Sequence, residues 1–248
     1  MVTFLGRQAT SAAATVTADA RLDRATTSFL DLGTGNGSLL HALRRAGWAG
    51  PCLGVDYSAA AVALAQQIAA TGPEQRDDDD EDEDDEDDGA AAREKFPPST
   101  NPVEFAQWDV LGGALDGGGA ARAGSWDVVL DKGTFDAVCL SADVDAATGR
   151  RRSERYRARA LRLLRPGPGG LFLVTSCNWT DAELRAWFEG GGGDGDGDGG
   201  GDDDVDGHVV DGRFEFAGRV EYPSFSFGGA KGQTISTVCF VKTAAVVS

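Results

Sequence analysis

A short apolar run, Ser28-Phe29-Leu30-Asp31, leads into the glycine turn Gly33-Thr34-Gly35-Asn36-Gly37, and Leu39, Leu40 and Leu43 follow at helical spacing. A strand that passes through so tight a turn into a helix must cross back over its own sheet, so the next strand lies parallel to it. The rest of the chain repeats that cycle. Gly47 stops the first helix, and Cys52-Leu53-Gly54-Val55-Asp56 reads as a second strand. Ser58 caps an Ala-rich helix whose apolar positions are Val62, Leu64, Ala65 and Ile68. Residues 103–106 alternate as a third strand, and Trp126 to Asp131 form a fourth that ends in a carboxylate. Arg151 to Arg165 reads as a helix with the stripe Tyr156, Ala160, Leu161 and Leu164, ended by Pro166-Gly167. Residues 171–174 form a fifth strand, and the capping box Thr180-Asp181-Ala182-Glu183 opens a helix to about Phe188. Strands over 214–220 and 234–241 close the chain. The expectation is an α/β domain with a doubly wound, mostly parallel sheet.

The net charge of -17 does not belong to that domain. Twelve consecutive acids run from Asp77 to Asp88, and eight more lie among glycines between Glu189 and Asp206. Without them, 20 acids face 23 bases, near neutrality. Both tracts lack the apolar residues to bury, so 72–102 and 189–212 are expected to be disordered inserts in a domain spanning 28–242. Residues 1–27 give little periodic signal and are expected to be loose. No secretory leader or membrane span is expected: the N-terminus has no basic start followed by an apolar run, and no apolar stretch approaches 18 residues. Cys52, Cys139, Cys177 and Cys239 lie far apart without a C-x-x-C, which argues against a zinc knuckle or a disulfide framework and fits a reducing compartment. With no basic stripe, direct nucleic-acid binding is not expected. Monomer is the default.

Ligands of such sheets bind past the carboxyl ends of the strands, where Asp31, Gly33, Asp56, Asp109 and Asp131 fall. A dinucleotide fingerprint fits poorly, because its third glycine position is Ser38 and Asp31 would repel a pyrophosphate. S-adenosylmethionine suits the pattern better: its sulfonium and amino group are cationic, so Asp31 attracts it. Asp56 is placed for the ribose hydroxyls and Asp109 for the adenine edge.

Four strings go beyond the generic pattern: Asp31-Leu32-Gly33-Thr34-Gly35-Asn36-Gly37, Leu53-Gly54-Val55-Asp56-Tyr57-Ser58, Asp131-Lys132-Gly133-Thr134-Phe135-Asp136-Ala137, and Thr175-Ser176-Cys177-Asn178-Trp179-Thr180. Phe225-Ser226-Phe227-Gly228-Gly229 with Gly232-Gln233-Thr234 adds a fifth. Together they resemble the seven-β-strand protein-lysine methyltransferases that act on translation elongation factor 1-alpha. The resemblance covers about residues 28–71, 103–188 and 213–242. It implies a Rossmann-like class I methyltransferase fold of seven strands, one antiparallel near the C-terminus. It implies S-adenosylmethionine as cofactor, held by Asp31, Gly33, Gly35, Asn36, Gly37, Asp56, Tyr57, Asp109 and Val110. Asp131, Asn178 and Trp179 would be catalytic, Phe135 and Thr180 would line the substrate, no metal is implied, and the substrate would be a cytoplasmic protein. Family members carry a W-F-G-E stretch before the first strand that helps cover the cofactor, and residues 1–27 hold none, so the expectation is either a sequence truncated at its N-terminus or a missing cover. The open alternatives are a methyltransferase for a small molecule or nucleic acid, and a catalytically silent binding protein.

Overall fold

The computed structural model describes residues 1–10, 22–71, 99–116, 120–144, 149, 151–190, 204–205, 208–209, 212–222, 225–227, 230–232 and 235–244. The acid run 77–88 and most of the glycine-rich tract lie outside these residues.

A seven-stranded sheet forms the centre. Its strands are β1 (Phe29–Leu32), β2 (Cys52–Asp56), β3 (Glu104–Gln107), β4 (Val128–Lys132), β5 (Leu171–Ser176), β8 (Arg213–Val220) and β11 (Ser236–Thr243), in the order β3-β2-β1-β4-β5-β11-β8. β11 runs antiparallel to both neighbours, β5 and β8, and the other six strands share one direction. The expected sheet is the one observed, including its antiparallel strand near the C-terminus. The central strands β1, β2 and β5 are buried at every residue. Helices cover both faces there, which is why these strands read as unbroken apolar runs.

Side-chain alternation sends the two halves of each strand into separate layers. Leu30, Leu32, Val129, Phe172, Val174 and Phe240 build one layer, with Phe188, Phe214 and Tyr156. Its aromatic rings pack in series, with Phe135–Phe188 centroids 5.0 Å apart and Phe172–Phe214 5.3 Å. Phe29, Val128, Leu130, Leu171, Leu173 and Val241 build the other layer, with Leu43 and Trp48.

The helices are α1 (Val2–Thr10), α2 (Ser38–Arg45), α3 (Ala59–Thr71), α4 (Thr134–Leu140), α5 (Tyr156–Leu163) and α6 (Asp181–Glu189), with a 3-10 turn Arg152–Arg155 before α5. Ser58 and Thr180 cap α3 and α6 as the sequence indicates. Tyr156, Ala160, Leu161 and Leu164 are all buried.

Three expectations need correction. Residues 1–27 are not uniformly loose: α1 packs against α2, and Leu5 and Leu22 are buried in the second layer. Leu64 of α3 is 49% exposed. It lies two residues, about 200° of helical turn, from buried Val62. The second acidic insert carries a short antiparallel pair, β6 (Asp204–Val205) with β7 (His208–Val209). A further hairpin, β9 (Phe225–Phe227) with β10 (Ala230–Gly232), precedes β11.

Candidate active site

The glycine turn leaves β1 at the carboxyl edge of the sheet and is fixed from three sides. The Thr34 N–H donates to the Val55 carbonyl at 2.9 Å, and the Gly35 N–H donates to Asp56 Oδ2 at 3.1 Å. The Thr134 hydroxyl donates to the Leu32 carbonyl at 2.7 Å. Gly33 has φ +65°, and a Cβ on it would stand 2.0 Å from Thr134 Oγ1. No other residue fits that contact. Gly35 has φ +55°, and a Cβ on it would meet nothing within 4 Å, so its outer side is open. Asn36 is exposed and closes the turn, its Oδ1 accepting from the Ser38 N–H at 3.1 Å. Gly37 is buried beside Phe105.

Asp56 joins this turn to β2. Its second oxygen accepts from the Ser58 N–H at 2.9 Å. Tyr57, the next residue, is 77% exposed. Asp31 is 3% exposed, and burial pushes its carboxyl up to about 7. Lys132 pulls the other way, and Asp56 adds to the rise. Two acids thus converge with backbone N–H groups in a turn without a basic residue. Asp109 stands after β3, its Oδ1 accepting from the Leu111 N–H at 2.9 Å and its Oδ2 lying 3.7 Å from Arg152. The Val110 side chain is buried in the core, and its carbonyl accepts from the buried Arg159. What Val110 has left to offer a ligand is its backbone N–H.

After β4 the structure changes the roles read from the sequence. Asp131 is fully buried, so it does not face an incoming amine as expected. Its Oδ1 accepts from the Thr134 N–H and its Oδ2 from the Phe135 N–H, both at 2.9 Å, and Oδ2 also accepts from the Tyr156 hydroxyl. Burial raises its carboxyl to about 7 and Tyr156 well above its ordinary range. Asp131 therefore holds the start of α4. Phe135 is also fully buried and cannot line a substrate channel. It backs Trp179, with ring centroids 5.8 Å apart, and Trp187 flanks both rings. Trp179 is half-buried and Asn178 exposed, on the loop after β5. The exposed Thr180 caps α6, its hydroxyl donating to Glu183 and accepting from the Glu183 N–H.

Three residues without an assigned role emerge. Thr134 locks the glycine turn, Tyr156 completes the Asp131 pocket, and Asp136 holds the loop after β5 through Ser176 and Cys177. Thr134 and Asp136 stand inside the string that begins at Asp131. Tyr156 had been read only as part of an apolar stripe.

Two of the cavities among the described residues border the sheet. The larger, about 710 Å³, lies at the amino ends of the strands beside Ser28, Cys52, Glu104 and Trp126, away from the residues above. The smaller, about 330 Å³, is bordered by Ser38, Lys132, Thr175 and Tyr222, on the side of the glycine turn and the end of β4. Chemistry belongs at the carboxyl edge, where the acids and the glycine turn meet. Among the described residues, no helix is long and apolar enough to cross a membrane, and no group of acids, histidines and cysteines could hold a metal.

Comparison with known proteins agrees with this geometry. A family model described as a methyltransferase domain matches residues 23–73, which hold β1, the glycine turn, β2 and α3. Protein-lysine N-methyltransferase EFM4 of Saccharomyces cerevisiae is 31% identical over 87% of this chain and 70% of its own length. The efm4 enzyme of Schizosaccharomyces pombe is 33% identical over 85% of this chain and 68% of its own. EEF1A lysine methyltransferase 2 of Homo sapiens is 28% identical over 87% and 65%. The chain belongs to the EFM4 family of protein-lysine N-methyltransferases.

Proposed function

We propose that this protein transfers methyl groups from S-adenosylmethionine to a lysine of translation elongation factor 1-alpha in the cytoplasm. The observation that carries this reading is the identity of 31–33% with two protein-lysine N-methyltransferases over most of the chain. The name of the human relative supports the substrate.

The residues at the carboxyl edge fit the cofactor. Gly35 leaves open space where any side chain would intrude, and Asp31 is a buried acid whose raised pKa a cationic ligand would relieve. Asp31 would hold the amino-acid end, Asp56 and Tyr57 the ribose, and Asp109 the adenine edge. When bound, the cofactor supplies a methyl group on a sulfonium, taken in line by a neutral amine.

The protein must neutralise and aim that amine. A lysine has an ordinary pKa of roughly 10.4, so about one part in two thousand is neutral at pH 7. Removal from water lowers the pKa, and the half-buried Trp179 ring offers an apolar wall with cation–π attraction for the incoming ammonium. Asn178, exposed beside it, would accept from the amine and aim its lone pair. Asp131 acts from beneath by fixing the β4–α4 turn. Alignment of this kind supplies much of the acceleration in a displacement of this type.

Incubation of the full chain with elongation factor 1-alpha and labelled donor, followed by mass mapping, tests the proposal. Label on a single lysine is the expected result. Label only on RNA or metabolites, or no labelling beside bound donor, refutes it.

A further inference from the structure

The string from Asp131 to Ala137 contains a second carboxylate, on Asp136, that the methyl-transfer chemistry above does not use. Asp136 lies on α4, 5% exposed, and points at the end of β5. Its Oδ1 accepts from the Ser176 hydroxyl at 2.5 Å, and its Oδ2 accepts from the Cys177 N–H at 3.0 Å and the Cys177 thiol at 3.4 Å. Having donated its proton, the Ser176 oxygen accepts from the Asn178 N–H at 3.0 Å and the Trp179 N–H at 2.9 Å. Three successive amides, Cys177 to Trp179, are thus held by two buried side chains.

We infer that Asp136, acting through Ser176, is a positioning residue that sets the loop carrying Asn178 and Trp179 for the substrate lysine. This deepens the proposed function and rests on that loop facing the lysine. The carboxyl fixes the direction of the Ser176 proton, and that direction turns both remaining lone pairs toward the next two amides. Removal of the carboxyl frees the hydroxyl to rotate and leaves the Cys177 N–H without its acceptor. Among the described residues, the hydrogen bonds of this network reach Ser176 to Trp179 and not β1, the glycine turn or Asp56, so donor affinity is expected to be kept.

The test compares Asp136→Ala, Asp136→Asn and Ser176→Ala with the parent in full-length protein. Three quantities are measured: kcat and KM with elongation factor 1-alpha, donor affinity by calorimetry, and amide hydrogen exchange. Asp136→Ala should lower kcat/KM on the order of 10²-fold, the scale of a small misplacement of reacting groups, with donor affinity unchanged. Exchange should quicken at Cys177, Asn178 and Trp179 but not in β1 or α2. Asp136→Asn keeps an acceptor for Ser176 and should fall between. The Asp136→Ala/Ser176→Ala double variant should be no slower than the worse single, because both break one network. Parent-like kcat and KM in Asp136→Ala, equal loss of donor affinity, or additive losses would each overturn the inference. If Asp136→Ala does not fold, Asp136→Asn and Ser176→Ala are read by the same criteria. A parent that binds donor but leaves the elongation factor unmethylated defeats the functional reading instead, and exchange at the three amides then decides whether Asp136 orders the loop.

Discussion

Donor binding should be coupled to proton release from Asp31. Without ligand, burial holds this carboxyl at about 7, against an ordinary value of 3.8. A cationic ligand beside it favours the ionised form, so binding must remove the proton wherever it is still present. The sign follows: affinity rises with pH and levels off above about 7. From the titration of a single group at that pKa, the ionised share is roughly 1% at pH 5, 9% at pH 6 and half at pH 7. Apparent affinity should therefore rise about ninefold from pH 5 to pH 6 and about fivefold from pH 6 to pH 7. The window ends near pH 7.5, because the α-amino group of the ligand begins to lose its own proton at about 8. Calorimetry at these pH values, in two buffers of different ionisation enthalpy, yields both the affinity and the protons released. Asp131 titrates in the same range and is buried nearby, so Asp31→Asn and Asp131→Asn must be compared. The slope should vanish in Asp31→Asn and persist in Asp131→Asn. A flat profile from pH 5 to pH 7 in the parent, or the parent's slope retained in Asp31→Asn, would falsify the assignment of Asp31 to the cationic end of the donor.

The same two carboxyls govern stability without ligand. Both have folded pKa values near 7, above their unfolded values, so the stability they contribute is complete below about pH 4 and is lost as pH rises through 7. Calorimetric melting of the ligand-free protein should show Tm falling from pH 5 to pH 8, with a flatter profile in Asp131→Asn; a rising Tm in that range contradicts the burial argument. Asp56→Ala removes the acceptor of the Gly35 and Ser58 N–H groups. Donor affinity should drop about 10- to 100-fold, and titration giving the parent's affinity would show that Asp56 holds no ligand. Thr180→Ala breaks the capping box of α6 and should cost about 1 kcal/mol, read as a small fall in the denaturant midpoint; an unchanged midpoint means the box contributes nothing. Deletion of residues 77–88 should leave turnover nearly unchanged at physiological salt. A large loss there would assign the acid run to long-range attraction of a basic substrate.

What the sequence made legible divides along physical lines. The buried strands and the glycine turn were readable because local signals agree: unbroken apolar runs, then glycines, then helical spacing. The capping box of α6 was readable because all its partners lie within four residues. The N-terminal helix was not. Val2, Leu5 and Ala9 mark one face, but nine residues containing Gly6 carry too weak a pattern, and the helix owes its place to tertiary burial of Leu5. Asp131 was found at the right edge but with the wrong exposure. Its partner Tyr156 lies 25 residues away, and nothing local reveals that the two meet in the core. Phe135 failed in the same way: an aromatic residue beside a site can wall it or back it, and only packing decides.

The two carboxylates at the end of β4 and the start of α4 show why that string is long and continuous. Asp131 and Asp136 are five residues apart, with the start of α4 between them. The turn lets Asp131 fold back onto the Thr134 and Phe135 N–H groups, which fixes where the helix begins. Once the helix begins there, Asp136 falls in its first turn and meets Ser176. Thr134, between them, ties the same turn to the Leu32 carbonyl and so to the glycine turn. One short segment thus registers three strand ends against each other: β1 through Thr134, β4 through Asp131 and β5 through Asp136. A one-residue insertion between Asp131 and Asp136 would rotate the second carboxylate by about 100° and release Ser176, although every residue type would remain. Such a variant should keep donor affinity only if the insertion leaves Thr134 on Leu32. Calorimetry and turnover on insertions placed before and after Thr134 would separate the cofactor side of this junction from the lysine side, and identical losses in both would refute the division.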